Sequence, residues 1–258
     1  MSTVNELYDY FNGRIPSSLS CEWDNDGLMV CADGDRPVRR ALFALDVTDA
    51  VADYAIKNGY DLILSHHPMI FSPLKNLSGR DAVGARAIRL IRGGVSVFSF
   101  HTRLDAAEGG VNDVLAEIFG LTDVSRFGPE GEEMGRIGTL PVPLSLDDFI
   151  ILVEEKLSRH IAVGRASGTV SRLALLGGGG RDFVRSAAAA GADTYLTGEL
   201  GYHALVDTPV TGINLIEVGH YESEVPISLF YRRELKEHFP DVTLDLYPCG
   251  CAITYGNS

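Results

Sequence analysis

The sequence predicts an α/β protein with parallel or mixed sheets covered by helices, and three observations carry that expectation. From residue 38 onward short apolar runs alternate with helical patterns, the order that builds βαβ units. The run Leu62-Ile63-Leu64-Ser65 lacks polar alternation, as a strand buried on both faces does, and it stops at His66-His67-Pro68. The later half then repeats the pattern of the earlier half.

In chain order, residues 4 to 12 read as an amphipathic helix, and Trp23-Asp24-Asn25-Asp26-Gly27-Leu28 as a turn-rich segment whose Asp, Asn and Gly supply the turn chemistry. Trp23, the only tryptophan, is expected in the core. A strand over residues 41–45 ends at Asp46, and Thr48 caps a helix through Asp49 to Lys57. The histidine-terminated strand comes next, then a helix near residues 81–91. Gly93-Gly94 leads into a strand over 95–100 that also ends in a histidine, His101. Residues 102–110 open a further helix.

Gly128-Pro129-Glu130-Gly131-Glu132-Glu133 is the most linker-like stretch, so the chain is divided into a first lobe, 1–126, and a second, 127–258, whose C-terminal part is expected to return to complete the shared metal site. A strand over 135–140 and a helix over 146–157 follow, and then the repeat. Residues 173–176 match the strand at 41–45, and one offset relates Gly59 to Gly191 and Asp61 to Asp193. The strand over 212–218 ends at Gly219-His220 as the earlier one ends at His101. Each of these histidines is followed four positions later by a carboxylate, Asp105 or Glu224. Two lobes of similar topology, each delivering a histidine and an acid at a strand end, imply one shared site.

Neighbouring side chains on an extended strand point to opposite sides, so His66 and His67 are expected to serve two different ions. His66, His67, Asp105, His220 and Glu224 supply three imidazoles and two carboxylates, a donor set suited to two divalent cations. Without cysteine in the set the ions are Zn, Fe, Mn or Ni. Asp46, His101 and His203 are placed around these ligands, because ligating histidines hand their second N–H to an acceptor. For His203 a loop residue held by an ordinary hydrogen bond is an equal reading. The run Gly177-Gly178-Gly179-Gly180 resembles a phosphate-cradling turn, but it lacks a P-loop Lys-Ser/Thr and reads more simply as a tight turn.

Composition sets the remaining bounds. A net charge of −13 argues against a broad nucleic-acid surface. No run approaches a membrane span and the amino terminus has no secretory pattern, so a cytoplasmic protein is expected. Cys21, Cys31, Cys249 and Cys251 show no C-x-x-C spacing and are expected to be reduced and mostly buried.

Trp23-Asp24-Asn25-Asp26-Gly27-Leu28, Ser65-His66-His67-Pro68, His101-Thr102-Arg103-Leu104-Asp105, Thr197-Gly198-Glu199 with His203, and Gly219-His220-Tyr221-Glu222-Ser223-Glu224 together resemble the signature of the NGG-interacting-factor family. These are the GTP cyclohydrolase 1 type 2 homologues, also described as dinuclear metal centre hexameric proteins. The resemblance covers nearly the whole chain in order. It implies two interlinked three-layer lobes, internally duplicated, with the metal site between them, and a homohexamer. It also implies that His66, His67, Asp105, His220 and Glu224 bind the metals, with Glu224 bridging and His101 nearby.

Arg103 stands where the family usually has asparagine, which bears on substrate contacts in that loop. The function expected is metal-dependent hydrolysis of a nucleotide, with His101 and His203 as catalytic groups. The alternative is a metal-binding, metal-delivery or regulatory scaffold without catalysis. The two differ in whether the purified protein turns over a nucleotide.

Overall fold

The computed structural model describes residues 1–157 and 161–249. Four strands come first, β1 (Gly27–Val30), β2 (Arg40–Ala44), β3 (Leu62–Ser65) and β4 (Ser96–Ser99). Six follow, β5 (Thr122–Phe127), β6 (Gly135–Ser145), β7 (Ala162–Gly164), β8 (Thr169–Gly179), β9 (Thr194–Glu199) and β10 (Asn214–Glu217). The last is β11 (Thr243–Leu246). The described residues fold as two units, residues 1–104 with 228–249, and residues 105–157 with 161–227.

In the first unit the strands run in the order β1-β4-β3-β2-β11, parallel except for β1. Helix Val4–Arg14 begins in a reciprocal cap, Thr3 accepting from the Glu6 amide while Glu6 accepts from the Thr3 amide, which satisfies donors that a helix start leaves bare. Helix Ala82–Gly93 is capped by Asp81 and ends at Gly94, whose φ of 68° is left-handed. Alternate strand residues serve opposite faces. Leu42, Ile63 and Val97 pack with Val51, Ala55 and Leu90 of the helices on one side. On the other, Phe43 meets Tyr231 and Phe98 meets Tyr8. With both faces covered, β2 and β3 carry continuous apolar runs.

The second unit has a mixed sheet of order β5-β6-β8-β9-β10-β7. Leu173 and Leu175 of β8 enter one core with Phe119 and Phe149, while Ala174 and Leu176 enter another with Phe127 and Tyr195. This sheet too is the middle of three layers.

The two units share features of strand order and turn chemistry. In both units three parallel strands adjoin an antiparallel edge strand that precedes them in the chain, β1 beside β4 and β7 beside β10. Gly59 and Gly191 both have positive φ. Asp61 then accepts from the amides of Arg39 and Arg40, and Asp193 from those of Ser171 and Arg172.

Several expectations are corrected. The stretch 128–133 joins β5 to β6 as antiparallel neighbours of one sheet, Phe127 facing Gly135, so it is a hairpin connection. The division falls at 104/105, and the C-terminal segment returns to the first unit because β11 pairs with β2. Trp23 is 57% exposed, since the loop that carries it is fixed by Asp24 and needs no apolar anchor. Cys21 and Cys31 are half-buried and Cys249 is exposed; Cys251 lies outside the described residues. No helix among the described residues is long and apolar enough to cross a membrane.

Candidate metal centre

β3 ends at Ser65, one residue before His66. The alternation of a strand therefore does not apply to His66 and His67, and both rings turn the same way. Their centroids are 5.2 Å apart, and His101, two residues beyond the end of β4, lies 5.2 Å from His66 and 5.6 Å from His67. Each of the three offers one ligand atom, all within 4.8 Å of one another.

What orients the rings is equally specific. Nδ1 of His66 donates to the Phe100 carbonyl at 2.9 Å, Nδ1 of His67 to Asp46 at 2.8 Å, and Nδ1 of His101 to Asp24 at 3.0 Å. Carbonyl and carboxylate oxygens only accept, so Nδ1 carries the proton in each ring and Nε2 is the nitrogen presented as a ligand. Asp24 is fully buried at its side chain. It also accepts from the Thr102 amide at 3.0 Å and the Thr102 hydroxyl at 2.6 Å. Burial alone would push its carboxyl up, but the hydrogen bonds from His101 and Thr102 outweigh it and bring the pKa to about 2. A fixed anion behind His101 favours a cation in front of it.

The second unit gathers another set. Helix His220–Glu224 follows β10 and brings His220 Nε2 to 3.2 Å from Glu224, which is buried, while His220 Nδ1 lies 3.4 Å from Glu199. The glycine run explains how they fit. A Cβ at Gly178 would collide with Glu224 and stand 3.3 Å from His220 Nε2, and its φ is +68°. Only glycine lets the backbone pass so close. The run is the end of β8, not a phosphate cradle: the amide of Gly177 donates to Asn112 at 2.8 Å and that of Gly178 to Ser223 at 3.0 Å. Asn112 also donates to the Asp105 carbonyl at 3.1 Å, and buried Arg136 donates to the carbonyls of Ala106 and Ala107. Asp105 is therefore held on a pinned backbone.

His203 is placed elsewhere. It is exposed on helix Tyr202–Val206, beside an open groove of about 650 Å³ that Arg181, Arg185 and Asp207 also line. Among the described residues it joins no group that could hold a metal. Arg103 is 1% exposed, paired with Asp26 at 3.0 Å, and its guanidinium donates to Asn12 and the Ile15 carbonyl. Its role is to hold the loop. Asp24 and Glu199 lie in segments that carry the family resemblance, whereas Asn112 and Arg136 have no local sequence signal beyond their types, because most of their partners are distant in the chain.

A family model described as Duf34/NIF3 (NGG1p interacting factor 3) matches residues 2–249. The chain belongs to the DUF34/NIF3 family. A Clostridium perfringens protein named GTP cyclohydrolase 1 type 2 homolog is 31% identical over 241 residues, 91% of each chain. A Nostoc protein of the same name is 35% identical over 193 residues, 72% of this chain and 73% of its own. Among solved structures, reduced HcgD from Methanocaldococcus jannaschii superposes with TM-score 0.83 at 25% identity, covering 96% of this chain and 98% of its own. Staphylococcus aureus SA1388 gives 0.85 at 24%, covering 98% and 99%, and so supports the DUF34/NIF3 fold alone.

Proposed function

We propose that this protein holds two divalent ions per chain through His66, His67, Asp105, His220 and Glu224, with Glu224 bridging, and uses them to hydrolyse a nucleotide. The observation that carries the reading is that the Nδ1 atoms of the ligands His66 and His67, and of His101 beside them, are all engaged by acceptors, so that each presents Nε2. Such outer partners are characteristic of metal-ligating histidines. The imidazole and carboxylate donors fit Zn, Fe, Mn or Ni. Ions of this kind supply Lewis-acid polarisation of an electrophile.

The chain's own residues do the rest. Asp46 and the Phe100 carbonyl hold His67 and His66 in the ligating tautomer. Asp24 does the same for His101, whose Nε2 is then able to take up a proton and give it back. The relatives named GTP cyclohydrolase 1 type 2 homolog support a nucleotide as substrate and a guanine ring as the electrophile. His203, exposed on its own helix, is not assigned a role in this reading. Assembly as a homohexamer and a cytoplasmic setting complete it.

Two observations favour second readings. His101 lies within reach of the same position as His66 and His67, which makes it a ligand instead of a proton carrier. The complete burial of His66 and near-complete burial of Glu224 suit a scaffold that retains or delivers metal without catalysis. One experiment separates them: metal content and GTP turnover measured side by side for the parent and His101→Ala. On the proposed reading the ions stay and turnover falls ~100-fold or more. Loss of metal makes His101 a ligand; no metal-dependent turnover by the parent, with GTP and other nucleotides tested, leaves the scaffold.

A further inference from the structure

Two aromatic side chains of the first unit have no part in the reading above. Trp23 leaves 57% of its surface exposed and Phe71 53%. Their ring centroids are 6.2 Å apart with planes inclined at 49°, an open wedge and not a closed stack. The indole also meets the His101 ring at 6.0 Å, nearly perpendicular at 74°. The pair therefore borders the histidine cluster.

Neither ring rides on loose chain. Trp23 immediately precedes Asp24, whose carboxylate is locked by His101 and Thr102. Phe71 immediately follows Ile70, whose carbonyl accepts from the Asn25 side chain, and that bond ties the two loops together. Large aromatic rings held in place but left wet offer stacking surface at little ordering cost on binding.

We propose that Trp23 and Phe71 form a shelf for a planar heteroaromatic ring of the nucleobase type, which stacks on the indole with its edge toward His101. The charge beside the indole is the carboxylate of Asp24, and the nearby cation, Arg103, is buried against Asp26. The indole itself offers a phosphate no charge to pair with, whereas a neutral ring with a polar edge finds both a π-face and the histidines. The shelf rests on the metal-site reading for the chemistry at the ring's edge, not for the stacking.

Because Trp23 is the only tryptophan, its fluorescence reports the shelf directly. The metal-loaded full-length protein is titrated with GMP and, separately, with ribose 5-phosphate, and metal content is read on the same samples. Saturable quenching by GMP and none by ribose 5-phosphate is expected. By calorimetry Trp23→Ala and Phe71→Ala should bind GMP roughly ten-fold or more weaker, with metal content and assembly mass unchanged. Equal binding of the two probes, or parent-like GMP affinity in Trp23→Ala, would overturn the shelf. So would a change of assembly mass in Trp23→Ala, which would make the pair a contact between copies. If the samples carry no metal yet GMP still quenches, the metal reading fails and the shelf stands.

Discussion

Asp46 reaches the candidate centre through His67, which makes it a test of what an orienting carboxylate does. Its side chain is 54% exposed, so Asp46→Ala should change the stability of the metal-free protein by less than about 1 kcal/mol. Metal affinity, measured by competition with a chelator, should nevertheless fall roughly 10- to 100-fold. Arg103 is the opposite case. Its guanidinium and Asp26 are both almost fully buried, and Arg103→Asn, the residue usual in the family, strands a buried carboxylate. A loss of about 3–5 kcal/mol is expected in urea unfolding. At this scale the sequence displayed donors but not their settings. His66 and His67 were visible as a pair, yet the Phe100 carbonyl and the Asp46 carboxylate that orient their rings lie well away in the sequence. Trp23 was read as core from its type, and only the Asp24 contacts explain why its loop holds without burying it.

Among the elements, the clearest sequence signal was the repeat, because it rests on local chemistry that a pattern preserves. A glycine with positive φ ends the helix, and an aspartate two residues later closes the start of the neighbouring strand. Asp193 accepts two backbone amides, each at 2.8 Å, and Asp193→Ala leaves both donors without that partner. About 1–3 kcal/mol should be lost for it, read as a lowered urea midpoint with unchanged slope. Helix Asp49–Lys57 was legible at both ends through Thr48 and Asn58-Gly59. The stretch 128–133 was not, since glycine and proline mark a reversal equally well in a linker and in a hairpin. β1, β7 and β11 are edge strands of three or four residues, too short to show a period.

Across the whole molecule, what sequence could not show is that the returning C-terminal segment joins the first sheet, because strand pairing between β2 and β11 is a contact between residues some two hundred positions apart. Tyr231 on helix Ser228–His238 packs against Phe11 and Phe43. Ending the chain after residue 227 should therefore leave the first unit without one covering helix and with β2 as a bare edge. Such a truncation is expected to lose cooperative thermal unfolding by circular dichroism.

The central claim is that each chain holds two divalent ions. Its most direct test is elemental analysis of the protein after loading with Zn, Fe, Mn or Ni in turn and gel filtration. About two ions per chain are expected with at least one of these metals, reduced in Glu224→Gln because the amide brings no charge to a bridging position. One ion or none with every metal tried would contradict it.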